Sequence, residues 1–135
     1  MISKEQKRSD FALKQLKDTF SNGEDFVITE KLANFIVGAP TMILQNGFGQ
    51  TMAFLLSKCK GKTDKKDKHF FTFETIARWS ERVNEKVPSE KSAFFEAVSS
   101  LEQADYLKLQ EEALKMLQWL KRYARAFQEV ESCSK

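Results

Sequence analysis

The chain has 135 residues, 41% hydrophobic and 30% charged, an ordinary mix for one domain that buries a core without disulfides or a metal. Two prolines and five glycines are too few for a turn-rich sandwich or barrel, and no apolar stretch approaches the ~18 residues of a membrane span. The net charge, 22 − 19 = +3, is only mildly basic, so a polyanion would have to be met by local concentrations of charge.

Residues 3 to 20 have the spacing of a first helix, with Phe11, Leu13, Leu16 and Phe20 on one side. The opening "MISKEQKRSDFALK" has no apolar run behind its charges, so a secretory leader is not expected and the protein is expected in the cytoplasm. Cys59 and Cys133 form no CxxC pair and are expected as free thiols rather than a disulfide. "SNGED" at 21 to 25 is a turn. A second helix is predicted over about 25 to 37, with Ile28, Leu32, Phe35 and Ile36 inward, Gly38 at its C-terminal cap and Pro40 in the first turn of the next helix.

The next stretch, "GAPTMILQNGFGQTMAFLLSK" (38 to 58), has Asn46-Gly47 in an apolar run, the strongest short hairpin signal. A two-residue turn there would pair Gln45 with Phe48, Leu44 with Gly49, Ile43 with Gln50 and Met42 with Thr51. Each pair sets an apolar residue against a polar one or a glycine, so no hydrophobic face fixes the register. As a helix, Leu44, Phe48, Thr51, Met52, Leu55 and Cys59 recur at three and four, with Gly47 on the same stripe. The helical reading fits better, although each interior glycine costs about 1 kcal/mol relative to alanine. Such glycines admit either a tightly packed neighbouring helix or a ligand close to the backbone.

Residues 58 to 68, "KCKGKTDKKDK", hold six lysines and two aspartates, 6 − 2 = +4, on an otherwise near-neutral chain. Taken alone this is a solvated loop; the alternative is a contact with a phosphate backbone. A fourth helix follows over "HFFTFETIARWSERVNEK" (69 to 86), with Phe73, Ile76, Ala77 and Val83 inward and Thr72 a candidate N-cap. A fifth is predicted near 89 to 101, with Phe94, Phe95, Val98 and Leu101. The last, 103 to 131, holds the 3.6 period through Leu109, Ala113, Met116, Leu117, Leu120, Tyr123, Ala124, Phe127 and Val130. Its opposite face carries Lys108, Glu111, Lys115, Gln118, Arg122, Arg125 and Glu129, with Lys121 beside it, by itself an ordinary solvated helix face. The chain is therefore expected to be all-α, a single compact bundle of about six helices spanning 1 to 135.

No catalytic pattern is apparent. His69, the only histidine, lacks a spaced second ligand and reads as a partly buried structural imidazole rather than a base. GxSxG, GxxxxGK[ST] and HExxH are absent, and "GFGQ" lacks the third glycine and preceding strand of a dinucleotide site. The expectation is a protein that is not an enzyme and carries no cofactor or metal.

Two stretches, "PTMILQNGFGQTMAFLLSK" (40 to 58) and "DYLKLQEEALKMLQWLKRYARAF" (105 to 127), together resemble the small subunit of the type III-B CRISPR effector, the Cmr complex of the RAMP module. The residues that carry the resemblance are Pro40, Met42-Ile43, Asn46-Gly47-Phe48-Gly49, Ala53-Phe54 and Ser57-Lys58, then Glu112-Ala113, Trp119-Leu120-Lys121-Arg122 and Ala124. Phe48 departs from the leucine usual in that family. The resemblance implies a non-catalytic all-α protein whose copies stack head to tail as a minor filament. That filament runs beside the backbone subunits, ends near the large subunit and lines the channel where target RNA pairs with guide RNA. Target cleavage would belong to the backbone subunits, and second-messenger synthesis and DNA cleavage to the large subunit.

On that reading, lysine and arginine meet phosphates without reading sequence, and guide pairing supplies specificity. The candidates are Lys58, Lys60, Lys62, Lys65, Lys66 and Lys68 in the loop, and Lys115, Lys121, Arg122 and Arg125 on the last helix. Pro40, Asn46, Gly47, Phe48, Gly49, Ala53, Phe54, Trp119 and Leu120 are assigned to packing of the motif. The glycines are expected to face a contact within the subunit, because Leu44, Phe48, Met52 and Leu55 share their stripe. Trp79, Trp119 and Tyr123 are candidates for stacking on bases, Trp119 being better placed for a core or a subunit interface. The competing class is a helical protein-interaction adaptor with no nucleic-acid role.

Overall fold

The computed structural model describes residues 1–23 and 25–129. Six helices occur among them: α1 (Lys4–Phe20), α2 (Glu30–Asn46), α3 (Phe48–Ser57), α4 (Lys68–Val83), α5 (Lys91–Ser99) and α6 (Gln103–Ala126). Between α1 and α2, β1 (Ser21–Asn22) and β2 (Asp25–Phe26) form a two-residue antiparallel ladder around Gly23, whose φ of +70° suits a glycine turn. The long α6 is the spine, with α1, α2 and α4 packed on it and α3 packed on α2 and α4. The all-α bundle expected from periodicity is what forms.

The stripes explain the arrangement. Leu109, Ala113, Met116, Leu117, Leu120 and Ala124 of α6 are buried, as are Phe11, Ala12 and Leu16 of α1 and Ile36 and Ile43 of α2. Each fully buried large side chain contributes roughly 1.5–3 kcal/mol, which is how an amphipathic helix becomes stable only in company. At the far end Phe94 of α5 lies against Phe48 and Phe73, ring centroids 6.1 and 5.7 Å away.

Several boundaries differ from the sequence reading. The second helix starts at Glu30, capped by Thr29, whose side chain accepts from the Leu32 N–H at 3.2 Å. Ile28 is buried, yet it is extended and not helical. Its N–H donates to the Phe127 carbonyl and its carbonyl accepts from the Glu129 N–H, both at 2.8 Å. That parallel bridge ends α6 at Ala126 rather than 131; Val130 and Cys133 lie outside the described residues.

Neither Gly38 nor Pro40 stops α2, which runs on to Asn46. An interior proline forgoes one helical hydrogen bond at a cost of about 3 kcal/mol. Here Pro40 is itself buried beside Ile36, Ala39 and Ile43, and burial of that face carries the helix through. The break comes at Gly47, with φ +88° and ψ 163°, a region essentially reserved for glycine. Its N–H closes α2 on the Ile43 carbonyl at 2.7 Å, and its carbonyl opens α3 by accepting from Thr51 at 3.1 Å. Asn46-Gly47 is thus a corner between two helices, neither a hairpin nor an interior helical pair. The corner rotates the stripe. Phe48, Met52 and Leu55 are fully buried while Leu44, expected with them, is 69% exposed.

α4 begins at Lys68, the last residue assigned to the loop, and ends at Val83 rather than 86. Its cap is Asp67 and not Thr72, which is buried inside the helix with its hydroxyl unpartnered.

Candidate nucleic-acid interface

The lysine loop is tethered at several points. Its root, Cys59, is buried and its thiol donates to the Leu55 carbonyl at 3.4 Å; burial pushes that thiol's pKa up. Lys60 (φ +51°) and Gly61 (φ +81°) then turn the chain through the left-handed region. Asp64 accepts from the Lys66 backbone N–H at 3.0 Å, and Asp67 accepts from the N–H groups of His69 and Phe70, each at 3.0 Å. Both loop aspartates thus accept from backbone N–H groups while keeping their negative charge.

Lys58, Lys60, Lys62, Lys65 and Lys66 are exposed and Lys68 is half-buried. Of the candidate cations, only Lys115 has a carboxylate within ion-pair distance among the described residues, Glu111 at 3.7 Å. The loop lysines flank two hollows. One, of about 350 Å³, is lined by Lys58, Lys60 and Lys62 together with Asp64 and Asp67, over Phe70. The other, of about 260 Å³, is lined by Lys66, Asp67 and Lys68 together with Lys31 of α2, a residue the sequence reading did not single out.

An aromatic cluster touches one lysine of each hollow. The His69 ring meets the rings of Phe35 and Phe54 edge to face, with centroids 4.7 and 6.3 Å away. The Lys68 ammonium lies over Phe35 at 5.8 Å, and the Lys58 ammonium over Phe54 at 5.4 Å. Burial lowers the pKa of His69 below the ordinary imidazole range, against the pull of Asp67 3.8 Å away. The expected partly buried imidazole is what the structure has.

The basic residues of α6 form a separate group. Lys121, Arg122 and Arg125 line a groove of about 370 Å³ with Val37 of α2, and Arg125 donates to the Gln128 side chain at 2.8 Å. A further basic cleft, not anticipated from sequence, joins three helices. Lys4 and Lys7 of α1, Arg82 of α4 and Lys108 of α6 surround about 230 Å³. At its base Arg8 and Glu112, each 5% exposed, form a two-point ion pair of 3.0 and 2.7 Å. The hydrogen bonds from Arg8 hold the Glu112 carboxyl below the usual range. Each of these charges taken alone looks like solvation of its own helix, so no one-dimensional pattern reveals them as a cluster.

The motif residues divide. Phe48 and Leu120 are fully buried and Pro40 is buried. The Phe48 N–H donates to Gln110 Oε1 at 3.0 Å and the Gly49 N–H to the Tyr106 hydroxyl at 2.8 Å. These α6 side chains cap the start of α3, and a Cβ on Gly49 would stand 3.2 Å from that hydroxyl. What comes close to Gly49 is therefore another helix of the same subunit, whereas at Gly47 a Cβ would meet nothing within 4 Å and the positive φ is what calls for glycine. Half-buried Trp119 donates its indole N–H to Glu5 at 2.7 Å and stacks on Tyr123 with centroids 5.9 Å apart. Trp79 is 6% exposed, so the three ring systems suggested for base stacking are buried or engaged. The packing assignment fails for Asn46, Ala53 and Phe54, which are exposed because they lie on the outer sides of α2 and α3.

Known proteins are similar to this chain in sequence profile and in fold. A family profile described as "CRISPR-associated protein (Cas_Cmr5)" matches residues 4–127. The crystal structure of a CRISPR-associated Cmr5 family protein from Thermus thermophilus aligns with TM-score 0.68 at 20% sequence identity, covering 96% of this chain and 100% of that one. At that identity the likeness is one of fold.

Proposed function

The chain belongs to the Cas_Cmr5 family of CRISPR-associated proteins, and from that premise we propose that it is a non-catalytic small subunit of a type III-B Cmr ribonucleoprotein. In this reading it stacks with further copies of itself as a minor filament beside the large and backbone subunits. It holds guide or target RNA by contacts from lysine and arginine to phosphate. The observation that carries the reading is the state of the loop charges. No loop ammonium has a carboxylate within ion-pair distance among the described residues, and the five exposed lysines are open to a phosphate, although Asp64 and Asp67 keep their charge and line the same hollows.

Such contacts release counterions, so affinity falls with salt. If each copy meets about four phosphates, log K declines against log salt with a slope near −3, at roughly −0.7 per single-strand contact. Titration of the purified protein into single-stranded RNA at rising salt measures this, and a salt-independent affinity overturns it. Replacing Lys62, Lys65, Lys66 and Lys68 by glutamate is expected to abolish RNA association. Capture of the tagged protein from its native cells separates the two classes of function. Large and backbone subunits with a short RNA support the subunit reading; a protein partner without RNA, unaffected by the lysine changes, makes the protein an adaptor.

A further inference from the structure

We infer that Phe54 is a stacking platform for a base of a single-stranded nucleic acid, whose phosphates on either side rest on the two lysine hollows. The inference rests on the RNA reading above and adds to it an aromatic contact on α3.

A lone exposed phenylalanine needs no explanation, since much of any protein surface is apolar. The setting of this one is unusual. Phe54 is 42% exposed, while most other phenylalanines are buried or packed against the core. The other one exposed, Phe127, is covered on one side by Phe26 at 4.6 Å. Phe54 lies under the ammonium of Lys58, which lines the first hollow, and its ring meets His69, which meets Phe35 under the ammonium of Lys68, which lines the second. Cation, ring, imidazole, ring and cation thus follow one another across α3, α4 and α2. A positive groove with aromatic rings set into it is how proteins hold single strands without reading sequence: the cations track the backbone and the rings take the bases.

The geometry also supplies a means of exchange. Without a strand, the Lys58 ammonium lies over the Phe54 ring, where the attraction amounts to little at an exposed site. A phosphate draws that ammonium away on its flexible stem and the ring face becomes free for a base. The His69 ring meets the Phe54 ring at a steep angle, 6.3 Å between centroids, and burial lowers its pKa, disfavouring a competing charge beside the platform. Any base has a face to stack, so the platform holds whatever guide or target sequence is present.

The test uses the full chain and labelled short RNA, with Phe54→Ala, Phe54→Leu and Phe54→Trp beside wild type. Alanine is expected to weaken binding from about fivefold to about a hundredfold, the range of base–aromatic stacking, without changing the slope of log K against log salt. Leucine, which keeps apolar bulk and the fold, shows the same loss, and tryptophan restores binding. An abasic strand of equal length removes the difference between wild type and Phe54→Ala. Three results overturn the inference: an alanine variant that binds as wild type does, a loss that persists on the abasic strand, or a leucine variant that binds fully. If any of these appears while the lysine variants still lose RNA, the RNA reading survives and only the platform falls. If wild type binds no RNA, both fall.

Discussion

The seam between α1 and α6 and the lysine loop use the same kinds of residue in opposite ways. At the seam Arg8 is held at two points by Glu112 and at a third by Glu5 Oε2, 3.0 Å away, while Glu5 Oε1 accepts the Trp119 indole. Both members of the central pair are withdrawn from water, and their charges are spent on one another. In the loop all the candidate lysines but half-buried Lys68 are exposed, none is ion-paired among the described residues, and the carboxylates accept from the backbone. Charge in a protein therefore says little until its partner is known: buried and paired it orients helices, exposed and unpaired it is available to a ligand. Glu112 and Trp119, both carried by the family motif, fall on the first side of that division.

The sharpest way to break the comparison is to remove one member of the buried pair. Glu112→Ala leaves Arg8 charged without its main partner and is expected to cost about 3–5 kcal/mol in denaturant unfolding. Replacing both by apolar residues of similar volume, Arg8→Met with Glu112→Leu, is expected to recover most of that loss, because no unpaired charge remains. A double variant as unstable as the single one would contradict the pairing argument.

The corner between α2 and α3 predicts a smaller, graded series. Gly47→Ala forces a side chain into φ +88° and should cost roughly 1–3 kcal/mol. Gly49→Ala, where a Cβ meets the movable Tyr106 hydroxyl, should cost less. Gly38→Ala, exposed in a regular helix with open space around it, should stabilise by about 0.5–1 kcal/mol. Thermal unfolding of the three variants orders them.

The two regions also separate by pH. Glu112 has a lowered pKa in the fold, so its contribution is complete above the ordinary carboxylate value of about 4.3 and is lost as pH falls through the lowered one. For His69 the fold favours the neutral ring. Stability therefore declines as pH drops from about 6.5 toward its lowered value, where the unfolded chain binds the proton first. Glu112→Gln should remove the first dependence and His69→Gln the second, measured as stability against pH. The smallest effect on folding belongs to the loop: reversing Lys62, Lys65 and Lys66 should change stability by no more than about 0.5 kcal/mol while RNA affinity collapses.

The sequence by itself determined the helical class, the buried stripes of α4, α5 and α6, the concentrated charge of the loop and the family motif. Each of these is a periodic or local property, written in residues three or four apart or side by side. Tertiary structure decided what depends on distant partners. Pro40 stays within α2 because its face is buried, and α6 stops at Ala126 because Ile28 supplies a bridge. Asn46-Gly47 turns a corner because Tyr106 and Gln110 supply the cap that the start of α3 lacks. The same physics hid the pairing of Arg8 with Glu112, 104 positions apart, and the setting of Phe54 against Lys58 and His69. A side chain's own helix fixes the direction in which it points, but what it meets there is contributed by another segment of the chain.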